Sequence, residues 1–385
     1  MTNILFDLIS TQEYHSGGGE YVEKVLKELL SYEGCRIWGL YDSRLLFLLD
    51  DLEKLKSQIV LLDISKATIS EWINTYNIDV FFIGIVQKYV NYNISDIECK
   101  TICVIHDIGD VEFFDNRIHF LSPCSLKNYI RLSLDYWLPN VRYSTICRAL
   151  KRYRKLESLL LQDNVTLVTV SEYTSNSIIY YFPKIGNRKT IHVLYPPPKQ
   201  YVRKDTIDNE KLKTIFAEKR KYMLFVNANR ENKNFNILLK CFDKIKECFP
   251  DMLLIATGVN TKLLNQNIIS LDYVSISDIE NLYMHAWGLI YPSLTEGFGY
   301  PPVEAMKYGT PVIASNVCSM PEVLGNSVLY CSPFYANDLF NCIRLLEKKY
   351  QYYELKSEER YQKVFKKQQS DFHKLINMII NEEED

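Results

Sequence analysis

Short apolar runs alternate with helical or polar segments along the first half of the chain. The runs predicted to form strands are Asn3–Ile9, Ile37–Leu40, Ile59–Leu62, Val80–Ile85, Ile102–Ile105 and Leu167–Val170. A loop of three glycines follows the first run, and residues 21–30 after it carry apolar side chains at helical spacing. Strands that alternate with helices predict a parallel, doubly wound α/β sheet, which binds ligands at the carboxyl ends of its strands.

A break in this pattern at Pro196–Pro198 indicates the end of the first domain. Proline continues neither a strand nor a helix well, and the chain stays polar as far as Lys221, so we predict a linker here. Buried-strand patterns return at Tyr222–Val226 and Leu253–Ala256. The residues from Ser277 to Glu280 then have the spacing of a capping box that begins a helix.

We therefore expect an N-terminal Rossmann-like domain over residues 1–198 and a C-terminal Rossmann-like domain over residues 199–364. Residues 365–385 have a helical pattern with an apolar stripe, and they end in four acidic residues that we expect to be disordered. The stripe consists of Phe372, Leu375, Ile376 and Ile379.

Composition and charge argue against several classes of protein. The chain has 385 residues and a formal net charge of −2, so no overall basic field points to nucleic acid. Its ten cysteines form no CxxC pair and no cluster with zinc-site spacing. No apolar window approaches the ~18 residues that a membrane span requires, and Met1–Ser10 lacks the basic start of a signal peptide. We expect a cytoplasmic protein with reduced cysteines.

The stretch Thr295–Met306 carries the clearest chemical signal. Its glycines allow a tight turn in which backbone amides approach a ligand, and its two prolines suit the first turn of a helix. Glu296 precedes the turn and Glu304 falls in the first turn of the helix, which Gly309 would end. An anion cradle flanked by carboxylates that accept bonds from hydroxyls is suited to a nucleotide-sugar.

This stretch resembles the signature of the retaining nucleotide-sugar glycosyltransferases of family GT4, and the resemblance runs from Leu271 to about Pro333. The matching segments are Tyr273-Val274, Tyr291-Pro292-Ser293, Glu296–Met306, Gly309–Asn316 and Met320–Val323. The resemblance implies the GT-B fold, with two Rossmann-like doubly wound parallel-sheet domains facing a cleft and a last helix that crosses back to the first domain. The pattern from Pro292 to Gly299 leans towards mannosyl- or rhamnosyl-transferring relatives.

In this family the first glutamate holds hydroxyls of the transferred sugar and the second holds the ribose, which implies these roles for Glu296 and Glu304. Two cations, Arg230 and Lys233, follow the predicted strand Tyr222–Val226 and would neutralise the diphosphate. The other residues that the resemblance implies for the donor are Gly18, Asn227, Val274, Thr295, Gly297, Phe298, Gly299 and Tyr300.

The chain departs from the family pattern beside these cations. Asn227 occupies a frequent glycine position, and Ala228 and Asn232 occupy places often held by arginine. We expect Arg230 to take over the function of the missing arginine from a shifted position.

Three segments of the first domain are candidates for the acceptor side. His106 and Asp107 follow the predicted strand Ile102–Ile105, where the imidazole could donate to a sugar hydroxyl and the carboxylate could orient the ring or shape the turn. Ser171 follows Leu167–Val170 and is a good N-cap, with phosphate or acceptor contact as an additional role. Gly17 and Gly18 belong to the glycine loop, which either approaches a ligand or only turns the chain.

Residues 142–160 form a basic segment with two interpretations. Its six cations and interleaved leucines suit a helix lying on an anionic membrane or a lipid-diphosphate acceptor. The simpler interpretation, which we prefer, is a solvated basic face over an apolar core stripe. The cations are Arg142, Arg148, Lys151, Arg152, Arg154 and Lys155.

The predicted function is retaining transfer of a sugar from a nucleoside diphosphate to a glycan or lipid-linked acceptor in surface polysaccharide synthesis. Glu296, His106, Arg230 and Lys233 are the candidate catalytic residues, and the resemblance implies a front-face route that needs no metal ion and no cofactor. Two alternatives remain open: a non-catalytic GT-B partner subunit, and a sugar-nucleotide epimerase that would turn over without an acceptor.

Overall fold

The structure is a computed structural model that divides into two α/β units. It describes residues 1–12, 17–45, 55–94, 96–115, 130, 133, 137–138, 145–199, 207–259, 267–272 and 274–381. The first unit comprises Met1–Val111, Asn140–Pro197 and Lys367–Asp385, and the second comprises Glu112–Pro139 and Pro198–Lys366.

The first unit is built on a seven-stranded parallel sheet. Its strands are β1 (Thr2–Asp7), β2 (Cys35–Tyr41), β3 (Val60–Asp63), β4 (Val80–Ile83), β5 (Lys100–Ile105), β6 (Val165–Thr169) and β7 (Ile191–Val193). They lie in the order β3-β2-β1-β4-β5-β6-β7. All six predicted runs are strands, and most of their residues are buried, as expected for a sheet covered on both faces.

Helices connect these strands. They are α1 (Gly17–Leu29), α2 (Ile69–Tyr76), α3 (Gly109–Asp115), α4 (Thr145–Leu160), α5 (Glu172–Tyr181) and α6 (Pro183–Arg188), with short 3₁₀ turns at Ile9–Thr11 and Val86–Asn91. The prediction of a glycine loop is wrong in one respect, because Gly17 to Gly19 form the first turn of α1. Val22, Val25 and Leu29 of that helix are fully buried, so packing of the apolar face outweighs the low helix propensity of glycine.

Helix α4 carries the basic segment, of which residues 142–144 lie outside the described part. Its apolar stripe belongs to the core of the first unit, where Tyr153, Leu156 and Leu159 are buried. The described cations, from Arg148 to Lys155, are exposed on the other face. The helix therefore presents charge, and not apolar surface, to the solvent.

The second unit holds a six-stranded parallel sheet. Its strands are β8 (Tyr222–Phe225), β9 (Leu253–Thr257), β10 (Ile268–Leu271), β11 (Gly288–Tyr291), β12 (Val312–Ser315) and β13 (Leu329–Cys331), in the order β10-β9-β8-β11-β12-β13. Two parallel α/β sheets, each with crossover helices, confirm the predicted fold class.

The helices of the second unit are α7 (Glu210–Ala217), α8 (Phe235–Cys248), α9 (Ile276–His285), α10 (Tyr300–Met306), α11 (Met320–Leu324) and α12 (Ala336–Lys348), with a 3₁₀ turn at Glu231–Lys233. The start predicted for α9 is wrong by two residues. Ser275, and not Ser277, is the N-cap, and its side chain accepts a bond from the Asp278 amide. Ser277 is buried in the first turn.

A long last helix, α13 (Tyr350–Ile380), continues into the C-terminal residues that belong to the first unit. Leu375, Ile376 and Ile379 of the predicted apolar stripe are buried there, while Phe372 is half-buried. Polar contacts add to this packing, because Gln368 donates to the Pro196 carbonyl over 2.7 Å and Asp371 accepts from the Tyr195 amide over 2.9 Å. The acidic tail, residues 382–385, lies outside the described residues.

Strand order identifies where each unit can bind a ligand. In a doubly wound sheet, ligands bind at the carboxyl ends of the two strands between which the order reverses. These strands are β1 and β4 in the first unit and β8 and β11 in the second. The residues directly after these four strands are therefore the first places to search for a site.

Candidate active site

The loop after β8 and the loop after β11 are tied together in the second unit. The Asn232 carbonyl accepts a bond from the Leu294 amide over 2.7 Å, and the Ser293 hydroxyl lies 3.1 Å from the same carbonyl. The Asn232 side chain donates in turn to the Thr295 carbonyl over 3.2 Å. Asn232 thus joins the two loops at a position where the family often has an arginine.

Asn227 turns the chain after β8. Its φ is +57°, a left-handed conformation that explains why glycine is frequent at this position and why asparagine is tolerated. The turn lies against Thr257, whose hydroxyl accepts from the Asn227 amide over 3.2 Å. It directs the chain towards the 3₁₀ turn that contains Lys233.

Glu296 is the centre of a polar cluster at the end of β11. One oxygen of its carboxylate, Oε1, accepts bonds from Lys233 Nζ, from Ser293 Oγ and from Tyr291 Oη, the last over 2.8 Å. Lys233 also donates to Tyr291 Oη over 2.7 Å. All of these bonds to Glu296 use Oε1, so the second oxygen, Oε2, is the one that can accept from the hydroxyls of a ligand.

Burial gives this cluster its electrostatic character. The side chains of Lys233 and Glu296 are only 7% and 10% exposed, so each needs the other as a counter-ion. Burial, followed by the Glu296 charge, raises the pKa of Tyr291 well above its usual range. Tyr291 therefore stays a neutral phenol that holds the lysine and the carboxylate in register.

The glycine turn between the glutamates has the predicted form, but the prediction that Glu304 falls in the first turn of α10 is wrong, because the helix already begins at Tyr300. Gly299 has a φ of +89° and caps α10, whose first turn contains the proline pair. The conformation requires glycine, and a Cβ at Gly299 would also lie 2.2 Å from Met320 Cε and displace the end of that side chain. Gly309, with a φ of +71°, lies where α10 ends, and the Thr310 amide donates back to Ala305 over 3.2 Å.

Glu304 lies on α10 and faces two partners. Its Oε2 accepts a bond from Tyr283 Oη over 2.8 Å. Its Oε1 lies 3.1 Å from Lys199 Nζ, an ion-pair distance, yet this buried oxygen has no hydrogen bond from the described residues. The Lys199 charge offsets part of the cost of burying this oxygen, and a ligand hydroxyl can supply the hydrogen bond that is still missing.

Other residues predicted for the donor lie around this carboxylate pair. Phe298 is buried and its ring contacts Tyr300 edge-on at 5.4 Å between centroids. Gly297, Thr295 and Val274 are half-buried. Arg230 is exposed, unlike Lys233, so the two predicted cations differ in environment. Tyr273 lies outside the described residues.

The first unit has its own cluster at the carboxyl ends of β1, β4 and β5. His106 packs against the Tyr21 ring at 4.8 Å, and its Nε2 bonds the Gly84 carbonyl over 3.0 Å. Because a carbonyl only accepts, Nε2 carries the hydrogen and Nδ1 is left as an acceptor, so the neutral ring can accept from a sugar hydroxyl and not donate to it as predicted. Burial lowers the pKa of His106 to about 4, so the ring is neutral near pH 7.

A fully buried carboxylate, Asp7, fixes the chain that holds this histidine. It accepts bonds from Tyr89 Oη over 2.7 Å, from the Gly84 amide over 3.0 Å and from Ser10. Burial raises the pKa of Asp7, whereas these bonds lower it. A Cβ at Gly84 would lie 2.3 Å from Val22 Cγ2, so only glycine lets α1 approach this closely.

The remaining acceptor-side candidates have local partners. Asp107 accepts from the Gly109 amide over 2.9 Å and thereby shapes the turn into α3. Ser171 is fully buried and accepts from the Thr174 amide over 3.2 Å, which confirms it as the N-cap of α5. Gly17 and Gly18 contribute the first amides of α1.

Sequence reasoning missed several residues of these clusters. Tyr291 and Ser293 were visible only as part of a matching motif, and Asp7 as the polar end of an apolar run. Nothing in the linear pattern connects Lys199 or Tyr283 with Glu304, because the contact joins residues far apart in sequence. Among the described residues, no group of three or more metal-ligating side chains is present, and no helix is long and apolar enough to cross a membrane.

Comparison with known proteins gives the same picture. Residues 206–368 match the family described as Glycosyl transferases group 1. RfbU, the O-antigen chain mannosyltransferase of Salmonella typhimurium, is 30% identical over 173 residues, 39% of this chain and 49% of that protein. O-antigen chain mannosyltransferase B of Escherichia coli is 29% identical over 198 residues, 47% of this chain and 52% of that protein. The chain thus spans about half the length of these curated relatives.

The fold has counterparts among solved structures. HepE of Anabaena, crystallised in complex with UDP and glucose, has a TM-score of 0.68 and 14% identity, and the match covers 99% of this chain and 100% of that one. This likeness confirms the predicted GT-B fold, and residues 206–368, which carry the signature around Glu296 and Glu304, match the group 1 glycosyltransferases.

Proposed function

We propose that the protein is a retaining glycosyltransferase that moves a sugar from a nucleoside diphosphate to a hydroxyl of a glycan or lipid-linked saccharide. The observation that carries this proposal is the pair of carboxylates on either side of the Gly299 turn. Both lie at the reversal point of the second sheet; Glu304 keeps one oxygen without a hydrogen bond from the described residues, and the donors that hold Glu296 all bind its Oε1. Two such acceptors suit the hydroxyls of a ribose and of a sugar.

The leaving diphosphate carries the charge that the site must stabilise. Lys233 and Arg230 lie on the loop after β8, and the amides of Gly297, Phe298 and Gly299 lie on the loop after β11. A preorganised set of donors around a developing charge is the most effective form of electrostatic catalysis. Because Tyr291 and Glu296 already fix Lys233, its charge can act on the diphosphate without reorganisation.

Retention follows in this proposal from a front-face route. Three donors hold Glu296 through Oε1. A carboxylate fixed in this way is better suited to accept hydrogen bonds from the sugar hydroxyls, and so to orient the sugar, than to attack the sugar as a nucleophile. The leaving phosphate would take the proton of the acceptor hydroxyl, and the neutral His106 could accept a bond from a sugar hydroxyl at Nδ1.

The relatives favour a mannosyl donor. Both curated relatives described above are named O-antigen chain mannosyltransferases, so we propose a GDP-mannose-like donor and a role in surface polysaccharide synthesis. HepE is described with UDP and glucose, which keeps UDP- and dTDP-sugars as donors to be tested.

We also propose that transfer needs neither a metal ion nor a cofactor, because Lys233, Arg230 and the turn amides supply the positive charge. Activity measured with EDTA should equal activity with added Mg²⁺. A loss of most activity in EDTA that Mg²⁺ restores would contradict this part of the proposal.

We propose that contact with a membrane is electrostatic and involves no insertion of apolar side chains. The exposed cations of α4 could attract anionic lipid or a lipid-diphosphate acceptor, and the buried stripe of the same helix leaves no apolar face for insertion. Co-sedimentation with anionic vesicles should then occur at low salt and be lost at high salt. Equal binding to neutral vesicles would contradict this mode.

The first experiment is a thermal-shift panel of UDP, GDP, ADP and dTDP with their common sugar conjugates. A ligand that binds the native state raises the melting temperature by mass action. We expect a shift with one base, followed by transfer from the corresponding sugar nucleotide to an acceptor saccharide. Binding without transfer or donor hydrolysis would favour the non-catalytic partner subunit, and turnover without an acceptor would favour an epimerase.

A further inference from the structure

Lys199 is the first residue after the proline run, and its side chain is directed at α10. Its ammonium lies 3.1 Å from Glu304 Oε1 and 4.8 Å from the centre of the Tyr300 ring. The two side chains of the ion pair are only 18% and 14% exposed. A lysine at the start of the Pro198–Lys366 stretch of the second unit is therefore held against the carboxylate proposed to bind ribose.

The geometry leaves room for both partners on this carboxylate. An ionised carboxylate offers about four lone-pair sites, of which Tyr283 uses one on Oε2. Lys199 is close to Oε1, yet that oxygen has no hydrogen bond from the described residues. A hydroxyl can therefore bind Oε1 while the ammonium stays beside it.

Distance then brings any such hydroxyl within reach of the lysine. A hydroxyl oxygen bonded to Oε1 at about 2.7 Å is at most about 5.8 Å from Lys199 Nζ, because Nζ itself is 3.1 Å from Oε1. The phosphate of a nucleotide follows its ribose directly, and Tyr300 begins the helix behind the glycine turn. The lysine thus lies beside the carboxylate proposed to bind the ribose and beside Tyr300, the first residue of the helix behind the glycine turn.

We infer that Lys199 is a nucleotide-binding residue, whose ammonium contacts the ribose-phosphate portion of a nucleoside diphosphate while it pairs with Glu304. This inference rests on the proposed function. The Tyr300 ring supports the lysine from the other side, since a cation is attracted to the face of an aromatic ring. Neither the glutamate signature nor the cations after β8 include this residue.

The test is the affinity for GDP and for UDP, measured by calorimetry at about 50 mM and about 300 mM NaCl, because salt screens the charges of the free diphosphate and so weakens its attraction to a charged site. Lys199→Met should raise the dissociation constant at least fivefold at low salt and by less at high salt, because one contact with the phosphate is lost. Lys199→Arg, which keeps the charge, should stay within threefold of the native protein.

Lys221→Met is the matched control. Lys221 is an exposed lysine of the same unit that lies 4.6 Å from the Trp287 ring and away from the glutamates. The Lys221→Met variant should bind GDP and UDP as the native protein does. All variants should melt within about 2 °C of the native protein.

Three results would overturn the inference: unchanged affinity in Lys199→Met, tighter binding, or a loss that is equal at both salt concentrations. Unchanged affinity or a salt-independent loss would leave the lysine only as a counter-ion of Glu304, and tighter binding would make it an obstacle to the nucleotide. Failure of the proposed function looks different, because then neither the native protein nor any variant binds GDP or UDP.

Discussion

At the scale of single residues, the two glutamates differ in what surrounds them. Glu296 is locked by Lys233, Tyr291 and Ser293, whereas Glu304 has an oxygen without a hydrogen bond from the described residues. Glu304→Ala should therefore weaken binding of free nucleoside diphosphate, and Glu296→Ala should mainly lower the rate of transfer. Calorimetry with the diphosphate and a transfer assay on both variants separate the two effects. Equal loss of diphosphate binding in both would reverse the assignment.

A second residue-scale prediction concerns Tyr291. Tyr291→Phe removes the hydroxyl that joins Lys233 to Glu296, and a hydrogen bond to a charged group is worth about 1.5–3 kcal/mol. We expect unfolding free energy to fall by about that amount and transfer to fall roughly tenfold.

Tyr222→Phe is the control for Tyr291→Phe. Tyr222 is equally buried in the same sheet, but its hydroxyl donates to the Leu282 carbonyl over 2.7 Å and does not belong to the Glu296 cluster. This variant should lose stability and keep its turnover. If both variants lose turnover equally, Tyr291 has only a structural role.

His106 predicts a pH dependence of stability. Its pKa in the folded protein is about 4, below the value of about 6.5 expected in the unfolded chain. Between these values the unfolded state binds more protons, so this residue makes stability fall as the pH is lowered from about 6.5 to about 4. Chemical unfolding at pH 7 and pH 5 should show a smaller loss for His106→Gln than for the native protein. An identical pH dependence would mean that the ring titrates normally.

At the scale of an element, the turn into α10 depends on the conformation of one glycine. Gly299→Ala should cost about 1–3 kcal/mol of unfolding free energy, since a φ of +89° is strained for alanine and its Cβ would meet Met320. It should also weaken diphosphate binding, because the amides of the turn would move. Gly34→Ala is the control, since nothing lies within 4 Å of a Cβ there. Similar behaviour of the two variants would show that the turn is not fixed by Gly299.

Other elements differ from their predicted form for reasons of packing. The glycines at the start of α1 favour a loop by propensity, but the helix is anchored by Val22 and Val25 in the core. The predicted N-cap of α9 is the wrong serine. Ser275 and Ser277 both have side chains suited to an N-cap, and only the tertiary structure buries Ser277 in the first turn and leaves the cap to Ser275. The short strands β7, β10 and β13 gave little periodic signal, and pairing with longer neighbours stabilises them.

At the scale of the whole molecule, the end of the chain belongs to the unit that contains its beginning. Truncation after Lys366 would remove Leu375, Ile376 and Ile379 from the first unit and the bonds to Tyr195 and Pro196. Burial of such side chains contributes about 1.5–3 kcal/mol each, so the first unit should unfold or aggregate. Calorimetric scanning should show loss of one transition, with nucleotide binding as the readout of the second unit.

Truncation after Asn381 is the control, because it removes only residues 382–385. It should leave the melting profile unchanged. A normal profile for the protein truncated after Lys366 would mean that residues 367–381 contribute little to the first unit.

Taken by itself, the sequence determined the features that depend on local pattern and on motif. Short apolar runs located the six strands of the first half, their alternation with helical segments indicated the fold class, and period-3.6 hydrophobicity located the buried stripe of α13. The spacing of Glu296, Gly299 and Glu304 indicated the donor site, because a turn that needs glycine and a helix that starts with proline leave a clear local signature.

Only the tertiary structure decided how the side chains pair. It places Lys233 in contact with both Glu296 and Tyr291 and leaves Arg230 exposed. It also brings Lys199 to Glu304, although about a hundred residues separate the two in the sequence. Burial beside Gly84 also lowers the pKa of His106, which keeps the ring neutral near pH 7. The physical reason is that partners, burial and charge depend on which strands are neighbours, and sequence periodicity carries no information about contacts between distant segments.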